Sequence, residues 1–158
     1  MIYLFLPVGL ISLHVMYIII GWIWIELGKS HNPNRQDTGR YSIEHVVCFK
    51  NESKFVKRKL ENSYSLKTIH DIHHTFVNDN SDDDTLLLLQ TYRQENTTLI
   101  NNTQNLGKNQ SQIKAVNQSD SDLLLFTDAN VFLTSEAIAE LIQCLDHQTG
   151  GVTGNVKI

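Results

Sequence analysis

Cysteine is nearly absent from this chain, with only Cys48 and Cys144 in 158 residues. The two are far apart and fall in stretches that read as a strand and a helix, so a disulfide framework has nothing to rest on and both thiols are assigned to the core. Positive charge is short as well. Thirteen lysines and arginines against seventeen acids leave a formal charge of -4 and a pI near 5.9. No basic stripe is present to hold a nucleic-acid backbone, which sets nucleic acid aside as a partner. Length is the third limit: at 41% apolar content, 158 residues bury one modest core, and one soluble domain is expected.

What the chain has is a long uncharged run. Ile2 to Ile25 carries no charged residue and is interrupted only by Pro7, Gly9, Ser12, His14 and Gly21. A helix crosses a bilayer with about 20 apolar residues, whereas a secretory signal has a basic start and a core of about 7 to 15. Trp22 and Trp24 lie near the end of the run, and Lys29, Arg35 and Arg40 follow it while no basic side chain precedes it. This asymmetry predicts a single-pass membrane protein with its soluble part in the cytoplasm. A buried hydrophobic hairpin is the alternative, which so long an uncharged run suits poorly. Residues 1–28 are therefore expected to be a transmembrane anchor, 29–40 a polar linker, and 41–158 the folded domain.

From Tyr41 onward, short β-rich runs alternate with amphipathic stretches. Strands are expected at Ile43–Cys48, Ile72–Asn78, Thr98–Asn101 and Leu123–Thr127, and helices at Glu52–Ser63, Asp83–Gln94 and Gln110–Gln118. Thr134 is placed as the N-cap of a further helix in which Ile138, Leu141, Ile142 and Leu145 follow helical spacing, ending at Gly150 and Gly151. A last strand is expected to begin at Val152. Such alternation predicts an α/β fold, a mostly parallel Rossmann-like sheet with helices on both faces, whose ligands bind beyond the carboxyl ends of the strands.

Polar residues concentrate at those ends: Asn51-Glu52, the run Asn78 to Asp84, and Asp128-Ala129-Asn130. Acids and amides converging from three strand ends suit a hard divalent cation such as magnesium or manganese, which prefers oxygen ligands. Asp128, at the tip of the apolar run Leu123–Phe126, is expected beside low-dielectric core, where a metal, a ligand hydroxyl or solvent must satisfy it. The plainer reading is that Asp128 caps a surface turn, and that Asp82 to Asp84 only oppose a helix dipole. His70, His73 and His74 have metal-like spacing, yet neighbours on a strand point to opposite faces, so they are read as solvent-exposed.

The order of these segments resembles the family-two type of glycosyltransferase with the GT-A fold, from Tyr41 to Ile158. Cys48-Phe49-Lys50-Asn51-Glu52 stands where the family has Pro-Ala-Tyr-Asn-Glu, keeping the Asn-Glu pair. Val77 to Thr85 matches Val-Asp-Asp-Gly-Ser-Thr-Asp-Gly-Thr without a gap, with Asn80 in place of a glycine. Gly107-Lys108 leads into a helix, where Ile113 replaces a usual asparagine. Asp128-Ala129-Asn130 looks like the variant of the Asp-x-Asp motif found among bacterial membrane-bound members.

The resemblance implies transfer of a sugar, with inversion, from a nucleotide-diphosphate sugar to an acceptor hydroxyl, as in polysaccharide biosynthesis. Asp128 and Asn130 are implied metal ligands for Mg2+ or Mn2+. Glu52, Asp79, Lys108 and Asp128 are implied to bind the nucleotide sugar, a UDP-sugar being the commonest donor. Lys108 is equally a plain surface lysine. The partners implied are a sugar or lipid-linked acceptor and the membrane. The general base and the acceptor half are expected beyond Ile158, so the chain is expected to supply the donor- and metal-binding half and to be inactive alone. A truncated, non-catalytic membrane adaptor is the alternative, and a receiver-like signalling domain fits less well, having no use for an anchor. The donor-site reading needs Asp79 and Asp128 to arrive from neighbouring parallel strands at one cavity.

Overall fold

The computed structural model describes residues 16, 18, 19, 39–146 and 149–154. Runs rich in β-branched and aromatic side chains form strands, and the amphipathic stretches between them form helices. The order is β1 (Ser42–Phe49), α1 (Ser53–Ser65), β2 (Asp71–Asn78), α2 (Thr85–Tyr92), β3 (Thr97–Asn101), α3 (Lys108–Val116), β4 (Leu123–Asp128) and α4 (Ser135–Gln143). The strands lie in the order β3-β2-β1-β4, and every pairing is parallel. All carboxyl ends therefore reach the same edge of the sheet.

Alternation along β1 divides the core in two. Val47 and Phe49 pack with Phe76, with Val56 and Leu60 of α1, and with Leu89 of α2. Ile43, on the same face, meets Ile138 and Ile142 of α4. Val46 points the other way, to Val77, Ile100 and Ala115 of α3. Three helices thus cover one face and α3 covers the other, as the expected α/β layering requires. Each of these large buried side chains stabilises the fold by about 1.5–3 kcal/mol.

Local chemistry sets the element ends. The Thr134 hydroxyl accepts from the Ala137 amide at 3.2 Å, confirming the expected cap. That helix stops at Gln143, with Cys144 as its C-cap, well before the glycine pair expected to end it. Of the strand expected from Val152, the described residues 152–154 form none. The expected anchor and linker lie outside the described residues apart from 16, 18, 19, 39 and 40. Among the described residues no helix is long and apolar enough to cross a membrane.

The histidines divide between the two faces of β2. His73 is 44% exposed in its side chain and meets Glu44 at 2.9 Å. His74, expected in solvent, is instead buried, its Nδ1 lying 3.0 Å from Nδ1 of His45. The register places these two directly opposite each other on the α1 face of the sheet.

Candidate functional site

Two asparagines let the chain turn sharply as it leaves β1 and β2. Asn51 (φ 55°) and Asn80 (φ 54°) both hold left-handed backbone, a conformation asparagine accepts better than most residues. The turns then lock together. The Asn51 amide donates to the Ser81 hydroxyl at 3.0 Å, and the Asn51 side chain accepts from the Asp82 amide at 2.8 Å. Lys50 reaches across to the Asn80 carbonyl and to Asp82, at 3.0 Å from the carboxylate. Asp83 accepts from the Ser53 amide at 3.1 Å and from the Thr85 amide at 3.0 Å. Burial alone would push its carboxyl up, but bonds from Thr85 and Ser53 bring it down to about 2. Asp82 and Asp83 thus hold the loops together through hydrogen bonds, a role beyond the opposition to a helix dipole expected of them.

Beyond these turns lies a cavity of about 250 Å³ lined by Cys48, Phe49, Lys50, Glu52, Asp79, Lys108, Asp128, Ala129 and Asn130. It brings together all five residues singled out from the sequence, Glu52, Asp79, Lys108, Asp128 and Asn130. Asp79 follows β2 and Asp128 ends β4, and the two strands flank β1 rather than each other. The expectation of neighbouring strands is corrected by one strand. A larger depression of about 360 Å³ opens near the amino end of β2, beside Lys67, His70 and His74. No acidic side chain lines it, and it lies away from the strand ends where parallel sheets bind ligands. The chemistry therefore follows the carboxyl-end cavity.

The two carboxylates have different surroundings. Asp79 is only 3% exposed. Its Oδ1 accepts from the Leu106 amide at 2.8 Å and the Asn102 side chain at 3.0 Å, and its Oδ2 from the Gly107 amide at 2.8 Å. Burial works to raise its pKa, and the donors from Leu106, Asn102, Ser111 and Gly107 outweigh it, leaving the carboxyl below its ordinary value. Asp79 thereby fixes the entry to α3, where Gly107 takes φ 80°. Asp128 was expected against low-dielectric core. Its side chain is instead 54% exposed, and the Lys108 ammonium pairs with its Oδ1. The reason is that β4 is an edge strand of the described sheet, with Leu124 and Phe126 also 42% and 44% exposed.

Cys48, read from the sequence as a core thiol, is half-buried and lines the cavity. Burial and the Asp79 charge push it up to about 11 against the opposing pull of Lys108, so it stays a neutral thiol near pH 7. Lys50, which the sequence does not single out, also lines the cavity. Its positive charge, directly before the Asn51-Glu52 strand end, was the available clue.

The residues present fit a divalent cation that shares its ligands with a substrate. Asp128 and Asn130 offer one carboxylate and one amide oxygen, and among the described residues no group of three or more His, Cys, Asp and Glu side chains could hold an ion alone. Magnesium-like ions characteristically take one or two protein oxygens and complete their shell with phosphate and water.

Comparison with known proteins agrees with the fold. The solved structure of the mannosyltransferase PcManGT from Pyrobaculum calidifontis, in complex with GDP-Man and Mn2+, is 20% identical with a TM-score of 0.61, over 67% of this chain and 32% of that one. S. aureus TarS is 20% identical with a TM-score of 0.56, over 63% of this chain and 18% of that one. The chain thus spans about a third or less of the length of these two solved proteins. No curated protein sequence matches it. The family model described as glycosyl transferase family 2 matches residues 45–158, well over half of the sequence, and the chain belongs to that family.

Proposed function

We propose that this chain binds a nucleotide-diphosphate sugar together with a divalent cation, and supplies the donor half of an inverting sugar transfer to an acceptor hydroxyl. The observation that carries this reading is the shared cavity, where a buried Asp79 bonded to its loop and a half-exposed Asp128 face one space from either side of β1. Asp79, held charged by its loop bonds, orients the nucleobase through its remaining acceptor position. Glu52, at the N-cap of α1, lines the same cavity and is assigned to base or ribose. Asp128 and Asn130 would hold the cation, which when bound neutralises charge growing on the departing diphosphate. Lys108 now pairs with Asp128 in an exposed contact worth about 0–1 kcal/mol. So weak a pair yields readily, freeing the lysine for the diphosphate.

A UDP-sugar is the donor proposed, although PcManGT is seen with GDP-Man. The acceptor is proposed to be a sugar or lipid-linked sugar, with residues 1–28 anchoring the domain to the cytoplasmic side of a membrane through the 29–40 linker. The uncharged run and the basic residues after it support that placement.

Calorimetric titration of the purified chain with UDP, GDP and Mn2+, each alone and in pairs, tests the reading. The cation and one nucleotide are expected to tighten each other about tenfold or more, and Asp128→Ala to erase that coupling. Independent binding of nucleotide and cation would contradict it.

A further inference from the structure

The apolar stripe of α1 contains a lysine. Val56, Lys59, Leu60 and Ser63 share one face by i, i+3, i+4, i+7 spacing, and all four are buried, Lys59 at 0% exposure. A buried ammonium needs partners, since it carries donors only and its desolvation is costly. Lys59 Nζ finds two. One is the Thr127 hydroxyl at 2.7 Å, and the other is the Val131 carbonyl. These groups stand on either side of Asp128-Ala129-Asn130. One turn along the same helix, the Asn62 side chain donates to the Leu133 carbonyl at 2.8 Å and accepts from the Leu133 amide at 2.9 Å. The Arg58 guanidinium lies 4.1 Å from the centre of the Phe132 ring.

Hydrogen-bond counting gives this network a direction. The Thr127 oxygen accepts from Lys59, so its own proton goes to His45 Nε2 at 2.8 Å, and His45 Nδ1 then donates to His74 Nδ1. Both imidazoles are neutral in that arrangement. This agrees with His45 lying well below its ordinary pKa through burial, Lys59 and His74.

We propose that Lys59 is a positioning residue for the donor site, its ammonium holding both ends of the turn that presents Asp128 and Asn130 to the diphosphate and cation. This inference rests on the donor-site reading. Lys59 does not line the cavity, so it acts through the backbone of residues 127–131. Groups that orient metal ligands from behind change affinity by about 10–100-fold when removed.

The test compares the full chain with Lys59→Met, which keeps the length and removes the charge, and with Thr127→Val, a milder loss of the same contact. Two readouts separate positioning from plain destabilisation. Amide exchange is expected to quicken about tenfold at Ala129–Val131, with β1 and β2 amides unchanged. Affinity for Mn2+ with UDP is expected to fall about tenfold while affinity for uridine without metal holds within about twofold. Unchanged exchange at 129–131, or a uniform rise across the sheet, would overturn the proposal in either variant. If wild type shows no metal-dependent UDP binding, the donor reading fails, and the exchange comparison still decides whether Lys59 holds the turn. Should Lys59→Met not fold, Thr127→Val carries both readouts.

Discussion

Asn80 stands where the resembling family has a glycine, and its φ of 54° shows why few residues would serve. A side chain in left-handed backbone costs about 1–2 kcal/mol unless it is glycine or a short polar residue. Asn80→Gly should therefore leave the urea midpoint nearly unchanged, whereas Asn80→Val should lower stability by about 2 kcal/mol. Equal stability of the two variants would show that the turn is not fixed as described. The same scale shows what the sequence hid. Asp79 and Asp128 were both legible as strand-end acids, but not that Asp79 is sealed by the 102–107 loop while Asp128 faces solvent beside Lys108. Neither the loop's path nor the edge position of β4 is written in local spacing.

At the scale of elements, all four strands and four helices are legible from periodicity between Tyr41 and Gln143, with ends shifted by one or two residues except that of α4, which stops at Gln143, well short of the expected glycine pair. Thr134 was the clearest boundary because its cap depends on one side chain and one amide three residues on. Thr134→Ala should lower stability by about 1 kcal/mol and quicken amide exchange in the first turn of α4 alone. By spacing alone α1 is simply an amphipathic helix. It also places Lys59 on the buried stripe, and a charged residue there was the available sign of a polar network beneath the sheet. His45 and Thr127, on β1 and β4, gave no such sign, since their meeting depends on strand order rather than sequence distance.

For the whole molecule, buried histidines and strand-end carboxylates make stability depend on pH in one direction. Burial, with His73 adding and Glu44 opposing, brings His74 down from 6.5 to about 4. The unfolded chain therefore takes up this proton first as pH falls, and stability declines between about pH 6.5 and 4, by roughly 3 kcal/mol in full. His45 shifts in the same direction. Below that window the depressed Asp79 and Asp83 carboxyls add further loss as they protonate. Lys59, lowered by burial to about 8 against the pull of Asp128, acts at the other end, so stability rises as pH climbs from about 8 toward 10.5. Urea unfolding across pH 4 to 7 should show the acid decline, made smaller by His74→Phe. A flat profile would contradict the buried neutral pair.

The central claim is that the ends of β2 and β4 form one site for a nucleoside diphosphate and a cation, and Mn2+ reports its own position through the paramagnetic broadening of nearby amide resonances. In the full chain with UDP present, broadening should be strongest at Asp128–Asn130, next at Gly107-Lys108 and the turn after β2, and absent near Lys67 and His70. Broadening centred on the Lys67 and His70 side of the sheet, or spread evenly over the surface acids, would contradict the account.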